Sequence, residues 1–175
     1  MATVFPQSKA QGRVDNKDRH IPIDVYHDKI HTGDMFSVFG EITLNDTEVH
    51  VLHVKTGTKE VHIYGTIASS GTGTVKIYAD STLSGVGTPI TIQNRNQRFQ
   101  GVTTPEATVY HTPTESVEGT QIDSYLLGAD KKAGGEGRND HEWIFAPNKS
   151  YQIKIASGAN SNDIVARVLF YEVEV

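Results

Sequence analysis

The chain has 175 residues, a formal net charge of −5, 37% hydrophobic residues and no cysteine. That length suits one domain plus an arm. The cysteine count excludes a disulfide framework, a thiolate nucleophile and a cysteine-based zinc site, and the acidic balance argues against nucleic acid as a partner. No apolar run approaches the roughly 18 residues of a membrane span, and MATVFPQSKAQG has no apolar core of signal-peptide length. Neither a membrane partner nor standard secretion is expected. Plentiful Gly, Ser and Thr with only two Met point to a loop-rich all-β protein.

Residues 1–20 carry Val4, Phe5 and Val14 as their only substantial apolar groups. They read as an extended N-terminal arm, too poor in apolar area to fold alone. A sandwich domain over 21–175 follows. Ile21, Ile23 and Val25 alternate, so a strand is expected from Ile21 to about His31, ended by a turn at Thr32–Gly33–Asp34. Phe36, Val38, Gly40, Ile42 and Leu44 then share a strand face. Glu48–Lys55, Glu60–Ala68 and Thr74–Ala79 read as three strands of a meander.

Ser81–Pro89 reads as a loop, Ile90–Gln93 as a weak strand, and Asn94–Arg98 as a polar turn organised by its own amides. A short strand at Ala107–Tyr110 precedes an acidic loop at Pro113–Gly119 and a strand in which Ile122, Ser124 and Leu126 alternate. Gly128–Asp140 lacks phosphate-loop spacing and reads as an exposed loop. Trp143 and Phe145 share a core-facing side, and Tyr151, Ile153 and Ile155 share another. The run from Ile164 is apolar on nearly both faces, which places it centrally in a sheet or against a second chain. After Phe170 its apolar residues change parity to Tyr171, Val173 and Val175, the sign of a bulge near Leu169–Tyr171 or of a tail turned toward a neighbour. Eight to ten strands with almost no helical periodicity give an all-β, antiparallel β-sandwich of jelly-roll type.

The chemistry is sparse. His50 and His53 face opposite ways on one strand, with His62 able at most to face one of them across a sheet, so no metal ligand set is expected. Asp123, Asp130, Asp140 and Asp163 lack the spacing of a calcium loop. No nucleophile elbow occurs. The expectation is no catalytic residue, no cofactor and no enzyme.

Several motifs stand in order along the chain: HDKIHTGDMF at 27–36, TGTKEVHI with its histidine, GTPITIQNRNQRF around Asn94–Arg95–Asn96, VYHTPT at 109–114, a Gly-rich segment, EWIFAPNKSYQIKIAS, and FYE at 170–172. In this order the chain resembles a group of structural proteins of tailed-bacteriophage virions, found among capsid decoration or cement proteins. It departs from that pattern in a longer polar arm and in the added Val173–Glu174–Val175, both candidate attachments to a neighbouring subunit. The resemblance implies a jelly-roll homotrimer clamped on the major capsid protein at the surface of the phage head, assembled in the host cytoplasm. Phe5, His27, His31, Asn94, Arg95, Asn96, Trp143, Tyr171, Val173 and Val175 are the candidate interface or structural residues. The alternative is a carbohydrate-binding tail or head-fibre module, using aromatic residues and the Asn94–Arg98 loop on host-surface glycans.

Overall fold

The computed structural model describes residues 13–14, 20–21, 25–128 and 142–175. Two short strands, β1 (Arg13–Val14) and β2 (His20–Ile21), pair with each other, and helix α1 (Val25–Thr32) follows. The body comprises β3 (Met35–Leu44), β4 (Val49–Lys55), β5 (Glu60–Ser69), β6 (Gly73–Ala79), β7 (Thr82–Gly85), β8 (Thr88–Pro89), β9 (Gln93–Asn94), β10 (Thr108–His111), β11 (Thr114–Val117), β12 (Thr120–Leu127), β13 (Trp143–Phe145), β14 (Ser150–Ser157) and β15 (Asn162–Val173). Most of the expected arm, Phe5 included, and nearly all of the Gly-rich segment lie outside the described residues.

Two antiparallel sheets form the sandwich. The first has the order β12-β6-β14-β4-β10-β8 and the second β13-β5-β15-β3-β9. Strand β3 pairs with β15, β4 with β14, β5 with β13 and β6 with β12. That is one long hairpin rolled across two sheets, the order of a jelly roll. The strands read as a meander therefore are not paired neighbours. Consecutive strands β4, β5 and β6 alternate between the sheets, because each must put its apolar face into the single core.

Period-2 patterning fills that core. Val38, Leu52, Val54, Ile63, Ile67, Val75, Ile153, Ile155, Ile164, Val168 and Phe170 are all buried in one cluster. Phe145 stacks on Tyr151 with ring centroids 3.8 Å apart, while the Tyr151 hydroxyl accepts from the Ala146 N–H at 2.9 Å, so the ring is buried with its polar tip satisfied. At one end of the sandwich, buried Asn162 ties three segments together. Its Oδ1 accepts from Ser69 Oγ and Gly71 N–H at 2.7 Å each, and its Nδ2 donates to Thr72 O and Ser157 Oγ at 3.0 Å each. All four of its hydrogen-bonding positions are filled.

Several expectations are corrected. Of the strand expected from Ile21 to His31, Ile21 lies in β2, whereas Val25–Thr32 is helical. Gly33, at φ +81°, ends the helix, with Asp34 N–H donating to Lys29 O and Gly33 N–H to Ile30 O. This pair of bonds is a Schellman closure, and glycine supplies the left-handed residue it needs. A helix this short is stabilised by docking rather than by propensity, and its chain spacing brings Tyr26, Lys29 and Ile30 onto one side.

The segments read as loops at Ser81–Pro89 and Pro113–Gly119 contain β7 and β11, which pair as a ribbon, while of the strand expected at Ile90–Gln93 only Gln93 is in a strand, β9, and Ile90–Ile92 links β8 to β9. Residues 80–119 form an enlarged turn of the rolled hairpin. They add β8 and β10 beyond β4 and β9 beyond β3, and Ile90 and Ile92 pack on the core where the two sheets would otherwise gape. Along this path His53 and Gln152, both on the outer face of the first sheet, are buried. In β12 the register shifts between Gln121 and Asp123, so Leu127 is buried and Leu126 faces outward.

Strand β15 is central, between β5 and β3, and runs in unbroken register from Ile164 to Tyr171 with both. No bulge occurs at Leu169–Tyr171. The parity change has another cause: Tyr171 points to the outer face but is only 5% exposed, because helix α1 covers it there.

Candidate functional site: a helix platform and an open cleft

Helix α1 lies on the outer face of the second sheet. The Tyr26 ring meets Tyr64 edge-on at 5.8 Å, and Lys29 Nζ stands 5.5 Å above the Tyr171 ring. The helix end is fixed by the Asn94–Asn96 loop. Asn94 Nδ2 donates to Gly33 O at 2.7 Å, Arg95 N–H donates to Met35 O at 2.8 Å, and Asn96 Nδ2 donates to His31 O at 3.3 Å. Asn94 Oδ1 accepts from Asn96 N–H at 2.9 Å, and Gln100 Oε1 accepts from Asn94 N–H at 2.7 Å. The amides thus organise their own turn and hold the helix. The Phe99 ring lies against the Cα of Gly33, where a Cβ would come within 2.5 Å of it.

Under the platform sits a polar cluster. Glu142 Oε1 accepts from Tyr171 OH at 2.8 Å and lies 2.6 Å from His62 Nδ1, and the His62 and Tyr171 rings stack at 4.6 Å. The phenol has one O–H to donate, and its hydrogen bond goes to Glu142. The His62 Nδ1–H is therefore also directed at Glu142, and its 3.1 Å approach to Tyr171 OH is a consequence of stacking. Burial pushes the Glu142 carboxyl up, but hydrogen bonds from His62, Tyr171 and Tyr64 outweigh it and hold the group below its usual range. Burial, and then the Glu142 bond, push the Tyr171 phenol far above its ordinary value. A phenol held protonated is no nucleophile, and a carboxylate that is already hydrogen-bonded and shifted low is a poor base. The cluster braces β13, β5 and β15 against one another. Glu172 extends the brace to the insertion, accepting from Glu106 and Ala107 N–H at 3.1 and 2.7 Å.

The other feature is a cleft of about 370 Å³ between the sheets. Strand β9 pairs only with Phe36 and Ser37, so from Val38 to Leu44 the outer edge of β3 has no strand partner among the described residues. The cleft opens beside that edge and is lined by Gly40, Ile42, Leu52, Ile90 and Ala166, with His50, His111 and Glu41 as polar members. His50 is 8% exposed, and its Nδ1 has no hydrogen-bond partner in the protein. Burial first and then His111, whose ring lies 6.0 Å away, lower the His50 pKa, so the ring is neutral at pH 7. Phe39, 52% exposed, stands at the cleft mouth. An apolar side chain carried on an extended segment would find open backbone, apolar walls and a few polar groups here.

No family model matches this chain, and no curated protein does.

Of the residues singled out from sequence, His27, His31, Asn94, Arg95, Asn96 and Tyr171 come together around α1 and the turn that follows it. Trp143 packs on the core from β13, an edge strand, with Ile144 facing outward. Val173 closes β15, and Val175 is 84% exposed beside Glu174, which pairs with Lys59 at 3.0 Å. Phe5, Asp130 and Asp140 lie outside the described residues.

His50 and His53 do face opposite ways, but His62 is on the other sheet and faces neither. Asp123 and Asp163 are engaged separately, by Ser124 N–H and Thr43 Oγ1. Among the described residues no three His, Asp or Glu side chains form a group able to hold a metal. Sequence reasoning missed the cleft. Its signal was an interruption of the strand pattern, Gly40 on the inward face of β3 opposite a histidine at an inward position of β4.

Proposed function

We propose that the protein is a structural component of a tailed-phage virion, a decoration protein that seats on the head shell as a homotrimer and clamps neighbouring capsid subunits. The observation that carries this reading is the open β3 edge with its cleft, where a neighbour's extended segment gains backbone hydrogen bonds from β3 and buries a side chain against Leu52 and Ala166. The residues through which the chain resembles decoration proteins support it in a second way. They build the rigid brace beneath α1, which sets shape rather than chemistry.

Two measurements test the proposal. Light scattering on the full chain should give a mass near three times 19.2 kDa, and a monomer at micromolar concentration refutes the trimer. Sedimentation with empty expanded shells should show saturable binding, weakened at least tenfold by Gly40→Val. A Cβ at Gly40 meets nothing within 4 Å, so the new side chain enters the cleft from an uncrowded position. Unchanged shell binding by a folded Gly40→Val protein removes the cleft from the mechanism, and binding to glycans in place of shells overturns the decoration role.

A further inference from the structure

The geometry points to a chelating site for a divalent transition-metal ion, formed by His27 and His31 on the exposed side of helix α1. The two residues are four apart, so their side chains stand one above the other on a helical turn. Their Nε2 atoms are hydrogen-bonded to each other at 2.9 Å, one ring donating and the other accepting, and both rings are exposed. The opposite side of the helix is committed to the sheet through Tyr26 and Lys29, which fixes the rotation of the helix and turns the histidine stripe outward.

The donors select among metals. Imidazole nitrogens bind first-row ions at about 2.0–2.1 Å. Two such bonds to nitrogens 2.9 Å apart subtend about 90° at the ion, the angle between adjacent positions of a square-planar or octahedral centre. A tetrahedral angle would need the nitrogens about 3.4 Å apart at the same bond length. An ion takes the place of the proton shared by the pair and resets this spacing by a few tenths of an ångström, so Cu²⁺, Ni²⁺ and Zn²⁺ all fit, whereas two neutral nitrogen donors do not suit Mg²⁺ or Ca²⁺.

The donor positions are also held. Thr32 Oγ1 bonds back to Asp28 O, the Gly33 turn closes the helix, and Asn96 Nδ2 donates to the carbonyl of His31 itself. The backbone that carries both rings is thus ordered before the ion arrives, and only the rings have to turn. Water fills the remaining coordination positions in the isolated chain. This inference stands apart from the decoration reading, since it concerns the free protein.

The test is a titration of the full chain with Ni²⁺ and Cu²⁺ by calorimetry in a non-coordinating buffer, with circular dichroism as the check on folding. His27→Ala and His31→Ala should each weaken the tightest site at least tenfold, because one remaining imidazole no longer chelates, and the double substitution should abolish it. A variant that keeps the histidine number but rotates one of them, His31→Ala with Thr32→His, should bind as weakly as His31→Ala. A loss smaller than tenfold in either folded single variant, or full affinity in the rotated one, overturns the proposal. Electron paramagnetic resonance of the Cu²⁺ form supplies a second readout, with two equivalent nitrogen ligands expected and one nitrogen refuting the pair.

Discussion

Replacing Gly33 with alanine tests whether the helix platform is held as described. Gly33 has φ +81°, and a left-handed conformation costs an L-residue about 1–2 kcal/mol. The new Cβ would also stand 2.5, 2.6 and 2.9 Å from three carbons of Phe99, an overpacking that typically costs about 1–3 kcal/mol. The sum, about 2–5 kcal/mol, acts on the docking of α1 first, because the helix is short and its end bonds run through this residue. Hydrogen exchange read residue by residue should show the α1 amides opening at least roughly 30-fold more often, the equivalent of about 2 kcal/mol. The global melting temperature should fall by about 5–15 °C if the helix and the sheets unfold together. In a Phe99→Gly background all three of these contacts are gone, and the same substitution should cost only about 1–2 kcal/mol. Exchange within threefold of the parent protein would refute the account of the platform. An equal penalty in both backgrounds would refute the role given to Phe99.

Two further predictions follow from buried polar groups. Asn162→Ala strands the Ser69, Gly71, Thr72 and Ser157 partners at one end of the sandwich and should cost about 2–4 kcal/mol in urea denaturation; a loss below about 1 kcal/mol would mean that solvent replaces the amide. His50 and His53 are both lowered from 6.5, chiefly by burial and then by His111 and Lys55 respectively. The unfolded chain therefore takes up these protons first, so stability should fall as pH drops below about 6.5 and go on falling until the lowered folded values are reached. His50→Asn and His53→Gln should each flatten that slope between pH 6.5 and 5, and a slope unchanged in both would assign it to other groups.

The sandwich was legible in the sequence where one strand face meets the core and the other meets solvent. Val38, Ile63, Val75, Ile153 and Val168 announce their strands because nothing else competes for their outer neighbours. The central place of β15 was legible too, from apolar residues on both faces. What failed was anything whose cover comes from afar. Tyr171 breaks parity because α1 lies over it, and no local pattern says so. Gln152 and His53 are polar and buried on a face that alternation assigns to solvent. The β7–β11 ribbon carries Thr, Ser, Gly or Glu at six of its eight positions, with only Leu83 and Val117 apolar, and is recognised only by its partner. The helix was hidden because Ile21, Ile23 and Val25 alternate up to its first residue, while its stop signal at Gly33 serves a turn equally well. The Asn94–Asn96 turn was read as self-organised, which it is. Its grip on the helix was invisible because Gly33 and Asn94 are distant in sequence.

The place of β15 has a consequence for synthesis. Strands β3 and β5 emerge from the ribosome early, each ten residues long, and neither is the other's partner; both pair with β15. Until residues 162–173 have been translated and released, the second sheet is two separate ribbons with a strand-wide gap between them, and the apolar faces of β3 and β5 stay open to any other chain. A nascent or truncated product is thus exposed to chaperones and proteases at the surface that the finished molecule conceals. Only a chain that has delivered β15 can offer the β3 edge as the rim of a formed sheet.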